Sequence, residues 1–337
     1  MKRRTFLKFA ALGAGALPGA RLMSRETSVP EVMTVLGPVP ARLQGQTLVH
    51  EHILVDFIGA DQIGPGRYDP EEVFQKALPH LQKLKAAGGD TLVECTPDYL
   101  GRDPQLLRRL SKASGVHILT NTGFYGAAND KYVPRVAYTE TADELAMRWV
   151  REFEDGIPPD NIRPGFMKIG VDSGPLSQID AKLVAAAARA HRRTRLAIAS
   201  HTGDGVAALA QLEVLKKEGV EPSAFIWVHA QNEADATIHR RVAEVGAWVE
   251  FDGISAKTIS QHVGLVLRMK RAGHLGRVLI SQDAGWYHVG EPGGGEFRGY
   301  DGLFTEFLPA LRKAGASQSD IHTLLVRNPR QALALRE

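Results

Sequence analysis

Eight short apolar runs recur along this chain, each followed by a longer amphipathic stretch, and this alternation limits the fold more than any other feature. The runs are TLVHEHILVD (47–56), TLVECT (91–96), VHILTNT (116–122), GFMKIGV (165–171), RLAIASH (195–201), AFIWVH (224–229), AWVEF (247–251) and RVLISQD (277–283). Short and rich in β-branched residues, they read as parallel strands buried on both faces. The stretches between them read as helices. Asp69-Pro70 and Asp103-Pro104 each place an N-cap aspartate before a proline at the first helical position. Val73, Ala77, Leu81 and Leu84 then share one face, and Gly88-Gly89 ends that helix. Further helices are expected at 140–155, 177–192, 205–218, 233–245, 258–272 and 302–314. Eight strands alternating with eight helices predict an α/β fold, a single (β/α)8 TIM barrel. A doubly wound open sheet is the structural rival, but no G-x-G-x-x-G follows any of the runs.

The segment before the barrel reads as an address. KRRTFLK (2–8) precedes FAALGAGALPGA (9–20), a basic segment followed by a short apolar one, which is the pattern of a secretory signal. Twelve residues span about 18 Å as a helix, too little to cross a bilayer core. Arg3-Arg4 before Thr-Phe-Leu-Lys resembles the twin-arginine export signal. Residues 1–28 are therefore expected to be a signal peptide read by the twin-arginine machinery, and 29–337 the mature, periplasmic barrel. No later stretch approaches 18 uninterrupted apolar residues, so no stable membrane insertion is expected. The formal net charge is +3, but without the four basic residues among the first 20 it is −1. A near-neutral body offers nothing to attract nucleic acid. Cys95 is the only cysteine, which excludes an intrachain disulfide and a cysteine-cluster metal site.

Barrel chemistry sits at the C-terminal ends of the strands. Those ends carry His50 and His52 on the first run, Lys168 on the fourth, His201 on the fifth, His229 on the sixth and Asp283 on the eighth. His50 and His52, two apart, leave the same face of a strand. His201 and His229 offer a second pair of imidazoles, and Asp283 a carboxylate. Nitrogen and oxygen donors of this kind suit zinc. Of the other histidines only His288 falls near these ends. An ammonium buried in an apolar barrel is costly. A neutral amine can instead add carbon dioxide, and the resulting carbamate has two oxygens that can bridge two cations. The rival role for Lys168 is a Schiff base in a metal-free lyase, in which the four histidines have no part.

At this point the residues resemble a known family. TLVHEHILVD, the MKIGVDSG stretch around Lys168, ASHTG, VHAQN, ISQDAGW and the terminal VRNPRQAL are similar to segments of the phosphotriesterase family of the amidohydrolase superfamily, from about Gly37 to the C-terminus. The resemblance implies a binuclear zinc centre and hydrolysis of phosphotriesters, lactones or carboxylic esters by a hydroxide shared between the metals. It implies that His50, His52 and Asp283 hold a buried metal, that His201 and His229 hold an exposed one, and that a carboxylated Lys168 bridges them. Asp283 is then also the proton acceptor. The family often forms dimers, which implies a homodimer. Tyr125 falls where the lactonase branch has a tyrosine, favouring a carbonyl substrate. Phe124, Trp286 and Tyr287 are expected to line the substrate pocket with it. Two departures stand out. Asn232 replaces a relay acid of the phosphotriester-hydrolysing members, and FDGISAKTISQHV (251–263), after the seventh strand, is short and lacks the long loop that forms the acyl channel of the lactonases. An exported barrel that keeps the metals without turnover is the third reading.

Overall fold

The computed structural model describes residues 30–335, and the signal read over 1–28 lies outside the described residues. The eight runs form β1 (Thr47–Glu51), β2 (Thr91–Glu94), β3 (His117–Leu119, continued by Asn121–Thr122), β4 (Phe166–Val171), β5 (Ile198–Thr202), β6 (Phe225–Val228), β7 (Trp248–Phe251) and β8 (Val278–Ile280). Each pairs in parallel with the next in chain order. The circle closes at a seam between β8 and β1. There Asp283 N donates to His50 O at 3.1 Å and His52 N donates to Ala284 O at 2.8 Å. The fold is a TIM barrel.

Outside the strands lie α1 (Pro70–Ala86), α2 (Pro104–Ser114), α3 (Ala142–Glu154), α4 (Gln178–Thr194), α5 (Gly205–Lys217), α6 (Ala236–Glu244), α7 (Ile259–Arg271) and α8 (Leu308–Lys313). Their starts follow local chemistry. Asp69 accepts from Glu71 N and Asp103 from Leu106 N, each before a proline. Capping boxes of Thr141 with Glu144 and Ser177 with Asp180 open α3 and α4. Apolar side chains pack in two layers. Leu48, Leu92, Ile118, Ile169, Ile198 and Trp227 face the helices. Val49, Val93, Leu119, Phe166, Ala199, Ile226, Trp248 and Leu279 fill the barrel.

Three features depart from the sequence reading. A hairpin of Glu31–Thr34 and Gly37–Pro40 precedes β1, and the helical segment Asn328–Leu333 ends the chain. Val32 and Leu333 from these two elements plug the foot of the barrel. The helix expected over 302–314 is interrupted: a wide turn, Leu303–Phe307, closes from Leu308 N to Leu303 O before α8 begins. Pro309 explains it, because proline lacks an amide and its ring crowds the preceding turn. The same pattern recurs at Thr323–Arg327, just before Pro329. Among the described residues no helix is long and apolar enough to cross a membrane.

Candidate metal centre

Above the apolar filling, the barrel mouth is lined by polar side chains, and three local backbone features aim them. The first is a bulge in β1. Leu48 pairs with Leu92 and Glu51 with Glu94, so three steps on β1 face two on β2. Val49 already points into the barrel, and strict alternation would turn His50 towards the helices. The extra residue resets the phase, and His50 points inward as well. Second, His229 follows β6 at φ 64°. This left-handed turn lets both its backbone amide (3.0 Å) and its Nδ1 (2.7 Å) meet the carboxylate of Asp252. Third, Asp283 and Trp286 also take positive φ, 51° and 77°. Such conformations cost about 1–3 kcal/mol each and persist where surrounding contacts impose them.

The six residues expected as metal ligands converge. Lys168 Nζ lies 3.4 Å from His50 Nε2. Asp283 Oδ1 lies 3.2 Å from His52 Nε2 and 3.7 Å from His50 Nε2. The rings of His201 and His229 are 4.5 Å apart, and those of His50 and His229 5.0 Å. Donor atoms of His50, His52 and Asp283 all fall within 4.8 Å of one another. A second tight group, His50, His229 and Asp252, is of another kind, because Asp252 meets both rings at Nδ1.

Each imidazole has a hydrogen-bond partner at Nδ1. Nδ1 of His50 meets Glu250 at 2.8 Å and Asp252 at 3.4 Å. Nδ1 of His52 meets Thr96 Oγ1 at 2.8 Å, and Nδ1 of His201 meets the Tyr125 hydroxyl at 2.9 Å. For His50, His52 and His229 the outer nitrogen is thus held and Nε2 is left for the centre, as outer partners do in metal sites. Burial drives His50 down to about 3, with the Lys168 charge adding to it, and burial also lowers His52 and His201. These rings are neutral with a lone pair to give. At His229 burial opposes the charge, but the nearby Asp252 outweighs it and raises the ring. Burial also acts against the Asp283 carboxylate, yet His52 and His50 beside it win and hold it low. Its buried Oδ1 accepts no hydrogen bond. An ionised oxygen without a donor, facing imidazole lone pairs, fits a divalent cation between them.

Lys168 is 2% exposed, and among the described residues its one hydrogen-bonding contact is His50. Its strand mate Gly170 has to be small, because a Cβ there would meet the Tyr125 ring at 2.9 Å. Trp286 packs at a tilt against His52 with ring centres 4.2 Å apart and donates from Nε1 to Asp283 O at 2.7 Å.

Two expected pocket residues face elsewhere. Phe124 is packed edge-on against Tyr99 and Trp149 in the helix-facing core, on the side opposite to Tyr125, which bridges to Gly170 just past the end of β3. Tyr287, 5% exposed, points away from the mouth and lies against Gly294, since it follows Trp286 in an extended pair with Leu54. Instead Phe57 and His288 flank Trp286, with ring centres 5.7 and 6.0 Å away. Phe57 carried no sequence signal beyond its place five residues after His52. Asn232 is exposed, and it is Gln231 that reaches Asp252, at 2.7 Å. Glu250, Asp252 and Thr96 also escaped the sequence reading. The only clue to Glu250 was an acid inside a buried strand.

The family model of the Phosphotriesterase family matches residues 30–333. The phosphotriesterase homology protein of Escherichia coli (strain K12) is 30% identical over 292 residues, covering 85% of this chain and 97% of the relative. A phospho-furanose lactonase of Mycoplasmopsis agalactiae is 28% identical over 334 residues, covering 91% of this chain and 92% of the relative. The solved structure of an organophosphorus hydrolase from Deinococcus radiodurans superposes with a TM-score of 0.81 at 26% identity, over 94% of this chain and 100% of that one. Enzymes of this kind depend on metal, and the mouth of this barrel carries candidate groups to bind it. The chain belongs to the phosphotriesterase family of hydrolases.

Proposed function

We propose that this chain is a binuclear zinc hydrolase of ester-type bonds, acting on lactones or carboxylic esters in preference to phosphotriesters. The observation that carries the reading is the set of buried imidazoles with held outer nitrogens around the donor-less Oδ1 of Asp283. His50, His52 and Asp283 would hold one cation and His201 and His229 the other. A carbamate on Lys168 would bridge them. The buried amine has no carboxylate within 4.0 Å among the described residues, and carboxylation of the neutral amine would turn it into an anionic ligand. Bound there, two divalent cations supply Lewis acidity and a nucleophile at neutral pH. Histidine-rich nitrogen and oxygen donors favour zinc.

The chain's own residues do the rest. Asp283, kept ionised, accepts the proton on its carboxylate as the ester is attacked. The Tyr125 hydroxyl, beside His201, donates to the oxygen on which charge develops. Trp286 walls the site on the His52 side. A lactone suits this equipment because its leaving oxygen stays tethered and needs little help from a relay acid, and Asn232 provides none. The similarity to a phospho-furanose lactonase supports the same preference. Elemental analysis of protein purified without chelator should give about two metal ions per chain. A value near zero with no gain on zinc addition ends this reading. A screen of lactones, aryl esters and phosphotriesters should give the best carbonyl substrate a kcat/KM at least about tenfold above the best phosphotriester.

We also propose export to the periplasm by the twin-arginine route, on the evidence of KRRTFLK, and a homodimer by analogy with the family. Arg3→Lys with Arg4→Lys should leave the protein in the cytoplasm. Unchanged export would point to the general secretory route.

A further inference from the structure

Beside the candidate centre opens a cleft of about 520 Å³, lined among others by Asp283, Trp286, His288, Glu291, Glu296 and Arg298. Arg298 is held in place there. Its backbone forms a two-bond bridge with Gly285, N to O and O to N, both 2.9 Å. Gly285 sits at φ 98°, and a Cβ would lie 1.7 Å from His52 O, so the bridge is pressed against the metal-site backbone. The Nη2 group of Arg298 donates to the carbonyl of Gln282 and, at 2.6 Å, to that of Asp283. Those two contacts use one nitrogen of the fork, leaving Nε–H and Nη1 for another acceptor. Arg298 is exposed, and among the described residues no carboxylate lies within 4.0 Å of its guanidinium. Glu291 and Glu296 line the same cleft without pairing to it.

We infer that Arg298 is an anion subsite, and that the substrate carries a single oxyanionic group, a carboxylate or a phosphate monoester, on the side of the scissile carbonyl that faces this cleft. The inference rests on the ester hydrolase reading above and narrows its substrate class. A pre-positioned guanidinium loses little freedom on binding an oxyanion, and the charge-assisted bond is among the stronger ones available to a ligand. Its contact with the Asp283 carbonyl sets the bound anion next to the reacting group. The two glutamates select against ligands with a second, separate anionic group, which would meet them as well as Arg298.

The test uses the zinc-loaded full chain and matched lactones bearing a carboxylate, a phosphate monoester or the neutral methyl ester of the same acid. In the wild type, kcat/KM for at least one anionic member should exceed the neutral one by about tenfold or more. In Arg298→Gln that ratio should fall to about one, and Arg298→Lys should keep an intermediate ratio. Whether the carboxylate or the phosphate arm shows the effect identifies the anion. A ratio near one in the wild type, or one unchanged in Arg298→Gln, overturns the subsite while leaving the hydrolase reading intact. Titration of ethanesulfonate, a poor metal ligand, gives a readout free of turnover. Binding that is lost in Arg298→Gln supports the subsite even if no ester is hydrolysed, in which case the hydrolase reading fails instead. Binding that is absent, or equal in both proteins, counts against the subsite.

Discussion

The group of His50, His52 and Asp283 and the pair of His201 and His229 sit side by side, yet they are built differently. The first straddles the seam where β8 closes on β1, and backbone bonds across that seam fix its three donors within 4.8 Å. The second comes from neighbouring strands, with His201 in register with Val228, the residue before His229. Among the described residues no further histidine, cysteine or acidic donor joins both of its rings in a tight group. A seam can therefore supply a complete tridentate site from protein alone, whereas two adjacent strands supply half of one and wait for another ligand. Lys168 lies where that ligand is wanted, two residues before Gly170, the partner of His201 in the sheet. Their supports differ too. His52 leans on a neutral threonine, while His50 and His229 share one carboxylate, Asp252.

The sharpest break in this comparison is Lys168→Ala. The pair should lose its cation while the seam group keeps one, so metal content should fall from about two to about one per chain. Activity should drop by more than the roughly 100-fold known for loss of outer partners. Small carboxylic acids should restore part of it by standing in for the carbamate. Retention of wild-type metal content and turnover would refute the bridging role.

Asp252→Asn comes next. Because Asp252 touches one ring of each half, affinity should fall at both sites by about 10- to 100-fold in a chelator competition. Thr96→Val should weaken only the seam group, and by less. An effect of Asp252→Asn confined to one ion would show that the halves are supported independently.

Tyr125→Phe sharpens the difference on the His201 side. It should lower kcat/KM for the best lactone by about tenfold, and for aryl phosphotriesters by less. The reverse ranking would remove the tyrosine from carbonyl chemistry.

The smallest effect is expected from Asp172, which follows β4. Ala128, Asn129 and Asp130 take left-handed conformations in succession, φ 62°, 55° and 60°. Asp172 accepts from the amides of Ala128 and Asn129 at 2.8 and 3.0 Å, as an anion in a backbone nest. This loop carries Tyr132, whose ring is 5.9 Å from that of Tyr125. Asp172→Ala should cost about 1–2 kcal/mol in thermal unfolding and change lactone KM about threefold or less. Unchanged stability would mean that the turn holds itself.

Much of the centre was legible because barrel architecture turns position along the chain into position in space. Once eight strands are recognised, their C-terminal ends must meet, and His50, His52, Lys168, His201, His229 and Asp283 each stand at or near such an end. The supports were not legible. Glu250 meets His50 across 200 residues and Thr96 meets His52 across 44, and periodicity says nothing about which buried polar group faces which. The pocket wall was misread for a related reason. Neighbours such as Phe124 and Tyr125 look alike in composition but take opposite faces of the backbone.

The sequence by itself determined the alternation of strand and helix, the Asp-Pro helix starts and the identity of the convergent donors. These rest on periods of two and 3.6 residues and on capping, all of which act within a few residues. Only the tertiary structure decided which way those donors point. The bulge that turns His50 inward exists because β1 must pair with β2 on one side and close on β8 on the other. The left-handed turn at His229 persists because Asp252, just past the end of the neighbouring strand, binds both its amide and its ring. Such conformations are unfavourable locally and are held by contacts that form only when distant strands come together, so no stretch of sequence read alone contains them.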